Sequence, residues 1–136
     1  MRPGPRRDRD LPGPAGQVPQ DAGLLQIDVA DGRVWLKPSG IGCFCGDLPE
    51  EQQLVYATHY APAADLFLHN APGVAWRTKP SWCIVGNNDQ TVHPDLDRAS
   101  AKRMGATTYD IDSSHVPMLS HPDFVLDVIR TAARGI

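Results

Sequence analysis

Two residues of this chain have types and positions that could do chemistry together: Asp89 and His115. Each lies in a polar loop that directly follows a short apolar run. Trp82-Cys83-Ile84-Val85 ends at Gly86 and opens into the loop with Asp89, and Thr107-Thr108-Tyr109-Asp110-Ile111 ends in the loop with His115. Between them lies a helix signal, with Pro94 and Asp95 in the first turn, Lys102 and Arg103 in the last turn, and Gly105 as the stop. Strand, helix, strand at this spacing predicts a parallel crossover unit. Open parallel sheets place their chemistry outside the carboxyl ends of the strands. The crossover therefore brings Asp89 and His115 together although 26 residues separate them. A carboxylate beside an imidazole fixes its tautomer and stabilises the imidazolium, while the other ring nitrogen acts as base.

Other residues compete for these roles. Asp95, Asp110 and Asp112 are alternative acids, and Asp112 shares the His115 loop, where it could brace the histidine. His93 and Val116 are the candidates for lining a substrate pocket, although His93 before Pro94 equally suits a plain turn. An aspartate between strand and helix is also a common turn former or N-cap. Metal chemistry is not expected. Cys43 and Cys45 have one residue between them, a spacing poor for zinc, and no second pair completes a site. His59 and His69 lack the further ligands a metal needs and read as surface or packing residues. No cofactor motif is present.

The elements around the pair follow from punctuation and periodicity. Residues 1–21, rich in Arg, Pro and Gly, are expected to be a disordered tail. Residues 22–76 read as a hairpin and a small cap. Leu24 to Leu36 alternates around Asp31-Gly32, a tight-turn pair. Lys37 to Gly46 reads as a Gly/Cys loop, and Asp47 as the cap of a helix from Leu48 to about His59 with Leu54, Val55 and Thr58 on its apolar face. Phe67-Leu68-His69 suits a short helical turn. Residues 77–136 form the strand-helix-strand-helix unit, with helices over Pro94 to Met104 and Pro122 to Ala133. The second carries Phe124, Val125, Val128, Ile129 and Ala132 on one stripe.

At 136 residues the chain is at most one domain, and its net charge of −3 argues against a nucleic-acid or anionic-membrane partner. No apolar run approaches the roughly 18 residues of a membrane span, and the N-terminus lacks a signal-peptide core. An odd count of three cysteines without other marks of secretion points to reduced thiols in the cytoplasm.

The stretches GNNDQTVHPDL, AKRMGATT and SSHVPMLSHPD resemble the last part of α/β-fold hydrolases of the bacterial esterase-like type. That branch is similar to plant methyl-ester hydrolases and hydroxynitrile lyases. DLPEEQQLVYATHYAP resembles the family's lid segment. The resemblance implies an α/β class, a partial α/β-hydrolase fold made of the last two parallel strands, their flanking helices and part of the cap. It also implies a triad in the order Ser, acid, His, with the acid at Asp89 and the base at His115. The nucleophile of such a triad sits on a G-x-S-x-G elbow, and this sequence has none. Gly42-Cys43-Phe44-Cys45-Gly46 matches the spacing, but its central residue is Phe44.

The expected function is the acid-and-base half of a serine hydrolase acting on a small ester or amide, inactive without the nucleophile. A wrongly placed start, a frameshift or a split protein would each produce such a chain. The reading from a different class is a non-catalytic module that binds a ligand or partner. Self-association through the exposed sheet edge is expected in either case.

Overall fold

The computed structural model describes residues 26–56, 61–70 and 72–135. The expected tail and His59 lie outside these residues. The hairpin consists of β1 (Ile27–Ala30) and β2 (Arg33–Leu36), antiparallel in the register Ile27↔Leu36 to Ala30↔Arg33. Its two turn residues, Asp31 and Gly32, both have positive φ (52° and 67°), as a two-residue hairpin turn requires. The hairpin is held to the following segment by Val34 N–H donating to Pro62 O (2.9 Å) and Ala64 N–H donating to Gly32 O (2.8 Å).

The segment expected to be a Gly/Cys loop is helical. A 3-10 turn over Pro38–Gly40 runs into α1 (Ile41–Cys45). Proline at the first position presets the helical φ. Ile41 and Cys45, four apart, fall on one face and are both buried. They form a small core with Leu48 and Val116, flanked by Leu36, Phe44 and Leu119. The expected cap helix begins later than Leu48, as α2 (Glu50–Tyr56), because Leu48 turns into this core instead. Its expected apolar face is uncovered: Leu54 and Val55 are exposed. The turn expected near Phe67 is present as a 3-10 turn over Ala64–Leu68.

The second sheet pairs β3 (Trp82–Gly86) with β4 (Thr107–Ile111), parallel and in the register Trp82↔Thr107 to Gly86↔Ile111. The connection is α3 (Pro94–Met104), which ends at Gly105 in the left-handed region (φ 63°), where a side chain would be strained. Arg98 of α3 ties the helix to β4 by donating to Asp110 (2.6 Å). A four-residue turn of helix, α4 (Pro117–Ser120), precedes α5 (Pro122–Arg134). The ring of Phe124 on α5 meets Tyr109 of β4 edge-on, with centroids 6.2 Å apart. This is a partial α/β fold with parallel strands joined through a helix, as the spacing of apolar runs predicts.

Candidate functional site

The loops after β3 and β4 leave the sheet side by side. Asn87 N–H donates to Ile111 O (2.8 Å) and Asn88 N–H to Ser113 O (3.1 Å), so the two loops continue the ladder past the strand ends. They approach so closely at Gly86 that a Cβ there would stand 2.6 Å from Ser114 O and 2.9 Å from Ser113 O. Only glycine fits this place without moving backbone.

That approach sets the acid against the histidine. The Asp89 carboxylate is almost wholly buried, with 4% of its side chain exposed. Its Oδ1 accepts from Thr91 N–H (2.7 Å) and Val92 N–H (3.0 Å), a local turn that an aspartate favours. Its Oδ2 lies 2.8 Å from His115 Nδ1. Thus each oxygen has its own partner, and the carboxylate cannot rotate without losing hydrogen bonds. The His115 ring packs against Phe44, centroids 5.1 Å apart and tilted by 51°. Among the described residues Nε2 has no hydrogen-bond partner. Beside the pair opens a cavity of about 360 Å³ whose walls include Trp82, Ile84, His115, Met118, Val128 and Ile129.

The electrostatics favour the charged pair. Burial pushes the Asp89 carboxyl up, but hydrogen bonds from His115, Val92 and Thr91 together bring it below its ordinary value. For His115 the hydrogen bond to Asp89 comes first and raises the ring above its ordinary value. Burial opposes this, and the charges of Asp89 and Asp97 add to the rise. These directions fix a pH window. The raised His115 adds stability that is complete below about 6.5 and is lost as pH climbs through its folded value. The depressed Asp89 adds stability present above 3.8 and lost as pH falls through its folded value. Thermal melts between pH 3 and 9 are therefore expected to peak between about 4 and 6.5. Asp89→Ala should flatten that peak, and an unchanged profile in the variant would contradict the pairing.

His93 is the N-cap of α3: its Nδ1 accepts from Asp95 N–H at 3.2 Å, and it lines a polar cleft with Asn88, Asp89, Gln90 and Arg98 rather than the cavity beside His115. Val116 is buried in the core with Ile41, Cys45 and Leu48 and is absent from the cavity wall. Asp95 and Asp110 both pair with Arg98, at 3.1 and 2.6 Å, and Asp112 accepts from Asn87 Nδ2 at 2.9 Å. His69 is exposed, 3.7 Å from Asp65. Among the described residues no group of three or more His, Cys, Asp or Glu could hold a metal, and no helix is long and apolar enough to cross a membrane.

Asp47 is the participant that sequence reasoning missed. It caps no helix. Its carboxylate instead accepts from Ser113 Oγ (3.0 Å), Ser114 N–H (3.0 Å) and Ser114 Oγ. Burial works to raise this carboxyl, yet the hydrogen bonds from Ser114, Ser120 and Ser113 lower it to about 2. Thr91, also unremarked in the sequence, donates its hydroxyl to Cys43 O (3.3 Å).

No curated protein and no solved structure matches the chain. The sequence does match the model of the Alpha/beta hydrolase family over residues 1–128. That span holds β3, β4 and both loops at their carboxyl ends, and with nearly the whole sequence covered the chain belongs to the alpha/beta hydrolase family.

Proposed function

We propose that this chain supplies the acid, Asp89, and the general base, His115, of a serine hydrolase of the esterase-like branch. The substrate is a small ester or amide, and the nucleophile comes from a segment bearing a G-x-S-x-G elbow. The observation that carries the reading is the 2.8 Å contact of Asp89 Oδ2 with His115 Nδ1, made while backbone N–H groups hold Oδ1. With Nδ1–H committed to the carboxylate, the neutral ring leaves Nε2 unprotonated. It can then take the proton of a serine hydroxyl as the oxygen attacks the substrate carbonyl, and later return that proton to the leaving group. Asp89 stays ionised throughout and stabilises the imidazolium. The proposed setting is the cytoplasm, on the odd count of three cysteines in the sequence.

The serines nearest the histidine are unsuited to act as nucleophile. Ser113 and Ser114 are 0% and 4% exposed, and their hydroxyls are turned onto Asp47. Purified chain is therefore expected to leave a chromogenic short-chain ester unhydrolysed and to take no label from a fluorophosphonate probe. Adding a segment with the elbow, in cis or as a second chain, should produce both activities. Labelling of a serine in the unsupplemented chain that vanishes on heating would overturn the assignment.

The second reading, a ligand-binding module without catalysis, draws on the largely apolar cavity beside His115. Ligand binding that persists while every elbow-bearing complement stays inactive would favour it.

A further inference from the structure

The serines before His115 share one acceptor. Ser113 Oγ and Ser114 N–H both donate to Asp47 Oδ2, and Ser114 Oγ donates to Asp47 Oδ1. Ser113 has one hydroxyl proton. Spending it on Asp47 leaves a lone pair for Ser120 Oγ of α4, 3.1 Å away. With Ser113 Oγ donating to Asp47 rather than to Ser114 O, 3.2 Å away, position 47 accepts from three donors and donates to none, a pattern that suits an ionised carboxylate better than an amide or hydroxyl. The same segment also holds the acid's loop. Cys43 O accepts from Thr91 Oγ1, and Thr91 N–H in turn donates to Asp89. Between these two tethers Phe44 lies against the imidazole. Asp47 has no hydrogen bond to the imidazole or to Asp89, and its residue is exposed although its hydrogen bonds are partly buried.

We propose that Asp47 is a positioning residue, which fixes the loop carrying His115 so that Nδ1 stays on Asp89 and Nε2 stays aimed outward. The claim rests on reading Asp89 and His115 as acid and base, but it can fail while that reading stands. Without the clasp, the segment just before His115 loses one backbone and two hydroxyl hydrogen bonds. The imidazole then depends on Phe44 and a single contact to Asp89. A shift of about 1 Å at a catalytic group is enough to cost about 10²-fold in rate.

The test reads the histidine directly, in the full chain and without any substrate. Nitrogen-detected NMR of the His115 ring should show a low-field Nδ1 proton and a titration midpoint above the ordinary value. In Asp47→Ala the low-field proton should be lost and the midpoint should fall. The charges that raise His115 are Asp89 and Asp97, and Asp47 is not one of them. A falling midpoint therefore reports a ring that has left Asp89, not a charge that has been removed. Asp47→Asn, which keeps one acceptor oxygen for Ser114 N–H, should give an intermediate result. Ser114→Ala removes one hydroxyl donor, leaves the carboxylate in place and serves if Asp47→Ala does not fold, with β3 amide exchange as the check. It should weaken the low-field signal. A signal and midpoint unchanged in Asp47→Asn and Ser114→Ala overturn the role of Asp47 and leave the acid–base reading intact. A missing low-field signal in the unsubstituted chain overturns both.

Discussion

Asp89→Asn is expected to lower turnover about 10⁴-fold once a G-x-S-x-G segment completes the site, the loss shown by the worked serine triad. Here the geometry gives the reason. Thr91 N–H and Val92 N–H both donate to Oδ1. An asparagine must keep its oxygen on those donors, which turns its NH₂ group toward His115 Nδ1. The ring then accepts at Nδ1 and carries its proton on Nε2, so the base is already occupied when the serine hydroxyl arrives. Steady-state kcat on a short-chain ester, with His115→Ala as the reference for a missing base, measures the effect. Activity within tenfold of the unsubstituted chain would remove Asp89 from the mechanism.

Gly86→Ala is expected to destabilise the fold by about 1–3 kcal/mol, the range for forcing extra volume into a packed place. The atoms that the new Cβ meets, at 2.6 and 2.9 Å, are backbone oxygens of Ser114 and Ser113. They cannot swing aside as a side chain would. Ser113 O accepts from Asn88 N–H, and Ser114 N–H is held by Asp47. Relief comes only by parting the two loops, and that also draws Asp89 from His115. Gly42→Ala is the control, because nothing lies within 4 Å of a Cβ there. Urea midpoints for the two variants decide the matter. Equal midpoints would show that the loops part at little cost.

The sequence makes the meeting of Asp89 and His115 legible because the information is local. Each apolar run is bounded by Pro, Gly or polar residues, and a helix-length segment between two strands leaves a parallel crossover as the favoured topology. Position after a strand then converts to position in space. The first clasp residue, Asp47, has no such local sign. It sits before Leu48-Pro49 and looks like an N-cap, and its real partners lie 66 and 67 residues away. α1 is equally hidden, because Gly42, Cys43 and Cys45 have weak helical preference. What makes it helical is the burial of Ile41 and Cys45 against Leu48 and Val116. The same core explains Val116. Adjacent residues of the loop face different sides, so His115 reaches the cavity while its neighbour packs beneath.

The separations along the chain carry a last consequence. Asp89 and His115 close a span of 26 residues, Thr91 and Cys43 one of 48, and Asp47 and Ser114 one of 67. Closure entropy grows only with the logarithm of length, so the longest span costs about 0.8 kcal/mol more than the shortest. That is less than one ordinary hydrogen bond contributes, about 1 kcal/mol. Distance in sequence therefore gives the hairpin and α1 little reason to detach before the parallel strands separate. Loop closure is thus a minor term, and the contacts of Asp47 with Ser114, of Thr91 with Cys43 and of Val116 with α1 decide how firmly the cap segment is held on the closing unit.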